Sequence, residues 1–214
     1  VLANEQVLGD GTCERSGDPV EQRDMEQWFY RITAYAQQLL DDMDNVDWPE
    51  KVKVMQRHWI GRSEGAEFGL PVSNADGSAR EDVAPLAVFT TRPDTSFGMT
   101  FAVISPEHPR VDELTTDNER ATVDAFRASV AGRSEIDRLS TEGSLDKRGV
   151  ATGCRVVNPF TGQAIPVFLA DYVLMTYGTG AIMAVPGEDQ RDWDFAVAHG
   201  CEIIRTVQPP DDFD

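Results

Sequence analysis

The sequence is short of cysteine, of basic residues and of long apolar runs, and each shortage removes a class of function. Its three cysteines, Cys13, Cys154 and Cys201, form no CxxC pair and have no histidine at ligand spacing. Neither a disulfide framework nor a metal site is therefore expected. No run approaches the ~20 apolar residues of a membrane span, and no charged-then-apolar export segment opens the sequence. A cytoplasmic protein with no membrane partner is expected. Nineteen basic residues face thirty-seven acidic ones, a net charge of −18. That field repels a phosphate backbone over most of the surface, which excludes extensive wrapping of nucleic acid. The basic stretch Lys51, Lys53, Arg57, His58 and Arg62 leaves a local contact open, beside the plainer reading of a solvated face. Familiar hydrolase signatures are missing as well. There is no GxSxG elbow and no P-loop. Asp94-Thr95-Ser96 has the look of half an aspartic-protease site, but no second Asp-Thr-Gly or Asp-Ser-Gly supplies the carboxylate that must share its proton.

What is present suits a folded chain. A hydrophobic content of 41% over 214 residues supports one large domain, or a domain with an appendage. The start at Val1 and the polar end PPDDFD fit a piece of a longer chain. From Asp24, apolar residues recur every three or four positions (Met25, Trp28, Phe29, Ile32, Tyr35, Ala36, Leu39, Leu40, Met43), which predicts an amphipathic helix with Asp24 and Gln27 as a capping box. Its aromatic stripe reads as packing surface.

After Arg62 the pattern changes to short β-type runs at Glu67 to Val72, Leu86 to Thr90, Met99 to Ile104, Cys154 to Val157, Ile165 to Phe168, Tyr172 to Met175, Ala181 to Val185 and Glu202 to Val207. Asn158 to Gly162, NPFTG, reads as a turn. Helices are expected over Asp117 to Ala131 and from Glu188 to a stop at Gly200, with a charged loop from Arg133 to Gly149. These runs predict an α+β domain on a mixed, barrel-like β-sheet with a few peripheral helices. A helical connecting segment, residues 1–60, precedes the domain, residues 61–214.

Two segments carry chemistry. Thr90 to Thr95, TTRPDT, sets three hydroxyls, the Arg92 guanidinium and the Asp94 carboxylate at the end of an apolar strand, with Pro93 stiffening the turn. Such density can hold a ribose, a phosphate or a water. Gly178 to Ala196, GTGAIMAVPGEDQRDWDFA, ends a strand and opens a helix bearing Asp189 and Asp192. Both aspartates share a face near the positive end of the helix dipole. Helix-start electrostatics explains either one alone; binding a cation such as an ammonium group is the functional reading. Gly178-Thr179-Gly180 marks a bulge or a close backbone approach.

Together these motifs resemble the editing domain inserted in leucyl-tRNA synthetases of bacterial type, the connective polypeptide 1 domain. WIGRSEG at Trp59 to Gly65, KRGVATG at Lys147 to Gly153 and DYVLMTY at Asp171 to Tyr177 agree with it. So do VLANEQV and EQWFYRITAYAQQLL, so the resemblance covers nearly the whole chain. It implies hydrolysis of the ester joining a wrong amino acid (norvaline, isoleucine or methionine) to the terminal adenosine of tRNA(Leu), with Leu-tRNA(Leu) rejected. The chemical need is plain, because one methylene supplies only ~1 to 3 kcal/mol of discrimination in a synthetic site.

By position, the resemblance gives Asp192 the α-ammonium and Thr95 the steric block against leucine. Thr90 and Thr91 would contact the adenosine and position water, with Arg92 and Asp94 beside them. Met183 and Tyr177 would line the pocket, with Asp189 as a secondary polar member. Glu188, at its edge, stands where the family commonly has His. The family's zinc knuckle is reduced to Cys13, and Ser96 alters the loop after Thr95. Editing needs no cofactor; ATP and Mg belong to the aminoacylation core, whose HIGH and KMSKS signatures are absent. The implied partners are the tRNA(Leu) 3′ terminus and the rest of the synthetase, the simplest assembly a monomer. The competing expectation is a module that binds the acceptor end or tethers domains without turnover in isolation.

Overall fold

Strand β4, Phe101–Ile104, is buried at all four positions, and strand alternation turns its side chains to opposite faces of the sheet. Phe101 and Val103 join one apolar cluster with Phe168, Tyr172 and Phe195. Ala102 and Ile104 join another with Leu114, Val123 and Leu169. A strand covered on both faces explains why this run is apolar throughout rather than alternating. The computed structural model describes residues 1–214 apart from 22, 24, 75, 132–137, 139–147, 176–177 and 209–214.

The chain divides into two compact units, Arg23–Glu64, and Val1–Gln22 with Gly65–Asp214. In the larger unit, β1 (Ala66–Leu70) and β3 (Leu86–Thr90) pair antiparallel as a two-stranded sheet. The second sheet contains β2 (Val72–Ser73), β5 (Gly149–Val157), β6 (Ala164–Ala170), β4 and β7 (Ala181–Ala184), in the order β2-β5-β6-β4-β7. All its pairs are antiparallel except β4 with β6, which run parallel. The fold is a mixed α+β domain with a curled half-barrel sheet, in agreement with the sequence pattern.

Helix α3, Arg120–Val130, turns Val123, Phe126 and Val130 inward. Helix α4, Gln190–His199, covers the opposite cluster with Phe195 and Ala196 and stops at Gly200, whose φ of 66° is left-handed. That stop is the one expected from the sequence.

The structure departs from the expected elements in four places. The helix expected from Asp24 to Met43 is regular only as a 3-10 turn at Ile32–Tyr35, α1 at Ala36–Asp41 and a second 3-10 turn at Asp42–Asn45. Trp28, Phe29 and Tyr30 are exposed and irregular. A short helix gains most of its stability by burying its stripe, and of this stripe Met43 is buried while Met25, Trp28, Phe29, Ile32, Tyr35 and Leu39 are exposed. Asp24 of the expected capping box lies outside the described residues.

An unexpected helix, α2, spans Glu50–Ile60 between Pro49 and the left-handed Gly61. Val52, Met55 and Trp59 have helical spacing, but the segment reads first as a basic stretch. Two of its cations are engaged locally: Arg57 pairs with Glu50 at 2.8 Å and Asp44 at 3.7 Å, and Arg62 with Glu64 at 2.7 Å.

Tyr172 to Met175 is a turn rather than a strand, and Glu202 to Val207 joins no sheet. Both remain packed: Tyr172 and Val173 are buried, and Glu202 to Val207 runs against the site described below. Most of the charged loop from Arg133 to Gly149 lies outside the described residues. Among the described residues, no helix is long and apolar enough to cross a membrane.

Candidate functional site

The turn between β7 and α4 presents Asp192. Asp189 caps the helix, its Oδ1 accepting from the backbone N–H groups of Arg191 at 2.8 Å and Asp192 at 3.2 Å. That satisfies amides a helix start leaves without partners and fixes the direction of the first turn. Asp192 is thereby held inward, only 6% exposed. Its Oδ2 accepts from the Val185 N–H at 2.8 Å, and the Tyr172 hydroxyl donates to Oδ1 at 3.4 Å.

Burial pushes the Asp192 carboxyl up to about 7, with the Asp189 charge adding to the rise and the Val185 amide opposing it. Burial likewise holds the Tyr172 hydroxyl well above its ordinary range. Asp189 behaves oppositely. Its partial burial is outweighed by Arg191 and the capping amides, and its carboxyl sits below the usual value. Two carboxylates three residues apart are thus driven in opposite directions, a separation typical of functional sites.

The second wall is the TTRPDT loop. Pro93–Gly98 forms a 3-10 turn directly after β3. The Thr90 hydroxyl accepts from the Arg92 N–H at 3.0 Å, and the Thr95 hydroxyl donates to the Arg92 carbonyl at 2.9 Å. Thr95 is buried, whereas Thr91, Arg92 and Asp94 face solvent. Arg92 and Asp94 make a forked pair with contacts of 2.8 to 3.2 Å. This pair lowers the Asp94 carboxyl and raises the guanidinium; being exposed, it adds little to stability.

Contacts across sequence bring the two walls together. The Ser96 hydroxyl donates to the Pro93 carbonyl at 2.8 Å and lies 3.4 Å from the Met183 sulfur on β7. Thr179 Oγ1 donates to the Ala87 carbonyl at 2.7 Å, tying the approach to β7 onto β3. Gly180, at φ 73°, makes that approach in a conformation L side chains rarely adopt, and a Cβ there would meet the Met175 side chain. Gly178-Thr179-Gly180 is thus a turn leading into β7, with a left-handed glycine at each end.

Glu188 is engaged by the segment that follows α4. Its Oε1 accepts from the N–H and hydroxyl of Thr206, at 3.2 and 3.0 Å, and from the Val207 N–H at 2.9 Å. Partial desolvation is outweighed by these donors and by the Arg92 charge, so its carboxyl lies below the ordinary value. A Cβ on Gly98 or Gly187 would strike residues 204 to 206, so this segment packs against both walls.

Of the residues expected at the site, Thr90, Arg92, Asp94 and Thr95 form one hydrogen-bonded loop. Met183 and Ser96 join it to β7, and Asp189 and Asp192 share the turn beyond. Tyr177 lies outside the described residues. Sequence reasoning missed Tyr172 and the Val185 amide as partners of Asp192. Tyr172 sits in the singled-out segment DYVLMTY, but a backbone donor leaves no mark in a sequence.

The arrangement offers a buried carboxylate with one oxygen clamped, beside a hydroxyl-rich loop. A family model described as the leucyl-tRNA synthetase editing domain matches residues 57–214. Similar relatives include the leucine–tRNA ligase of Saccharopolyspora erythraea, 49% identical over 100% of this chain and 23% of the relative. That of Roseiflexus castenholzii is 52% identical over 98% of this chain and 24% of the relative. Among solved structures, Agrobacterium radiobacter agnB2 LeuRS, in a ternary complex with tRNA and LeuAMS, matches at a TM-score of 0.71 and 39% identity, covering 100% of this chain and 25% of that one. The chain spans about a quarter of the length of these relatives and belongs to the leucyl-tRNA synthetase editing-domain family.

Proposed function

We propose that this chain performs post-transfer editing, hydrolysing norvalyl-, isoleucyl- or methionyl-tRNA(Leu) and sparing Leu-tRNA(Leu). The observation that carries the reading is the buried Asp192 carboxylate, with Oδ2 held by the Val185 amide and, among the described residues, Oδ1 met by a long bond from Tyr172. An isolated buried carboxylate is costly. The α-ammonium of an aminoacyl ester supplies the compensating charge, and charge-assisted bonds of this kind are the strong ones.

Anchoring the ammonium at Asp192 sets the ester carbonyl between α4 and the TTRPDT loop. Water attacks that carbonyl, the bond to the ribose oxygen breaks, and the departing oxygen takes a proton. Products are the free amino acid and tRNA(Leu). Thr90 and Thr91 contact the terminal adenosine and position the water, with Arg92 and Asp94 flanking them. Thr95 blocks the γ-branch of leucine, and Met183 and Tyr177 line the amino-acid side.

Editing itself uses no cofactor. ATP and Mg serve the aminoacylation core of the full enzyme, which acts as a cytoplasmic monomer and presents the tRNA end. The net charge of −18 disfavours strong autonomous binding of tRNA. That charge also supports a second reading, a module that turns over only when the remaining domains deliver substrate.

The test is release of amino acid from Ile-tRNA(Leu) and Leu-tRNA(Leu) by this chain, by the full enzyme and by the Asp192→Ala form of each. Cleavage of the mischarged species alone, lost in the variant, is expected of the full enzyme. Retained cleavage by Asp192→Ala would overturn the anchor. A folded chain that is silent while the full enzyme cleaves selects the second reading.

A further inference from the structure

The turn at Asn158 to Gly162 lies outside the pocket residues, yet its side chains reach the loop that carries Thr95. Asn158 is fully buried. Its amide nitrogen donates to the Ser96 carbonyl at 3.0 Å and to the Met99 carbonyl at 3.4 Å, and its Oδ1 accepts from the Phe160 N–H at 3.0 Å. Its backbone closes the turn, the N–H donating to the Gln163 carbonyl and the carbonyl accepting from the Gly162 N–H, both at 2.8 Å. Its two donors and its acceptor are thus each engaged, and one orientation of the amide satisfies all three partners. Two residues on, the Phe160 ring lies 5.7 Å from the Phe97 ring and 5.2 Å from that of Phe68.

Both arms hold the stretch immediately after Thr95. The Ser96 carbonyl also receives the Met99 N–H, at 3.2 Å, so Asn158 grips the 3-10 turn at the point that closes it. A gate that separates amino acids by small differences in side-chain shape needs its blocking methyl and hydroxyl held to a fraction of an ångström. Local bonds from Thr95 to Arg92 set the shape of the loop; they do not set its distance from the sheet. Asn158 does so from the β5–β6 connection, beside the Ser96 contact with Met183 on β7.

We infer that Asn158 is a positioning residue for amino-acid specificity, acting through the Ser96 and Met99 carbonyls to hold the Thr95 gate, with Phe160 against Phe97 as its second arm. The inference rests on the editing reading above.

The experiment uses the full synthetase carrying Asn158→Ala, Asn158→Asp or Phe160→Ala. Hydrolysis of Leu-tRNA(Leu) and Ile-tRNA(Leu) is followed separately, with thermal melting and aminoacylation alongside. Asn158→Asp keeps the acceptor for Phe160 but replaces the donor facing two carbonyls, while Phe160→Ala alters a partly exposed ring and leaves the buried amide in place. Loss of the grip is expected to raise cleavage of Leu-tRNA(Leu) about tenfold or more in Asn158→Ala and Asn158→Asp, and about threefold in Phe160→Ala, with Ile-tRNA(Leu) cleavage changing less.

A parallel fall on both substrates, which generic loosening of the fold would give, overturns the inference. So does discrimination within twofold of wild type in folded variants. If the Asn158 variants do not fold, Phe160→Ala decides by the same criterion. Wild-type enzyme that cleaves neither substrate overturns the editing reading itself, an outcome distinct from the other two.

Discussion

Asp192 Oδ2 and the Val185 amide, 2.8 Å apart, join the first turn of α4 to the end of β7 and leave the carboxylate's other oxygen to the site. The bond explains how a chain can keep a carboxylate that is only 6% exposed. It does not fully offset the burial, since the carboxyl remains raised to about 7.

The raised value makes Asp192 a stability liability with a defined pH window. The folded state binds the Asp192 proton more tightly than the unfolded state, in which the carboxyl titrates near 3.8. Its contribution is most favourable below that value and is lost as pH rises through about 7. The spread between the two values corresponds to on the order of 4 kcal/mol. Asp192→Asn keeps an acceptor for Val185 and removes the charge. The variant is expected to be more stable than wild type at pH 8, with the gap closing towards pH 4, while editing is lost. Urea melts across that range check it, and a variant less stable than wild type at pH 8 contradicts it.

The same group sets the pH dependence of turnover. Asp192 must be ionised and the substrate amine protonated for the two to pair, so kcat/KM for Ile-tRNA(Leu) should rise with pH through a limb near 7 and fall again as the α-amino group, ordinarily titrating at about 8, loses its proton. A bound ammonium favours the charged form, so the corresponding limb in kcat should lie at lower pH. Rates are read after subtraction of spontaneous ester hydrolysis. Coincident limbs would show that the ammonium does not sit beside Asp192.

Thr95→Ala should open the gate at small cost to the fold. The Arg92 carbonyl keeps the Thr95 N–H at 3.2 Å after the hydroxyl is gone, so a loss of about 1 kcal/mol is expected. Cleavage of Leu-tRNA(Leu) should rise from background to within about tenfold of the Ile-tRNA(Leu) rate. Single-turnover deacylation of both substrates measures it, and unchanged protection of the leucyl ester removes Thr95 from the gate.

Gly187→Ala probes the segment that packs against both walls. A Cβ there would strike the Ile204 carbonyl, and backbone has no rotamer with which to retreat. A cost of about 1 to 3 kcal/mol is expected, together with weaker editing because the Pro186 to Asp192 turn must shift. Chemical denaturation and deacylation are measured together. Full activity and full stability would mean that residues 204 to 206 yield freely.

Local order was legible in the sequence where local physics decides it. Leu86–Thr90 is a strand with the expected limits, and α4 ends at Gly200, since apolar spacing and a left-handed glycine act within a few residues. The family, and with it the site segments, was legible in TTRPDT and in GTGAIMAVPGEDQRDWDFA. By contrast, the helix expected from Asp24 is regular only over short stretches, with most of its stripe exposed, and α2 was obscured by its cations.

What only the tertiary structure decided is which groups meet. Asp189 and Asp192 are indistinguishable as a pair at a helix start. Asp189 is capped and lowered; Asp192 is turned inward and raised, because β7 and Tyr172 close over it. Likewise Asn158 reads as a turn residue until folding places its amide against carbonyls some sixty positions earlier. The sequence determined the chemical inventory and those elements, such as β3 and the end of α4, whose propensity, capping and apolar period are local. The values at which those groups titrate, and the grip on the Thr95 loop, depend on burial and long-range contact.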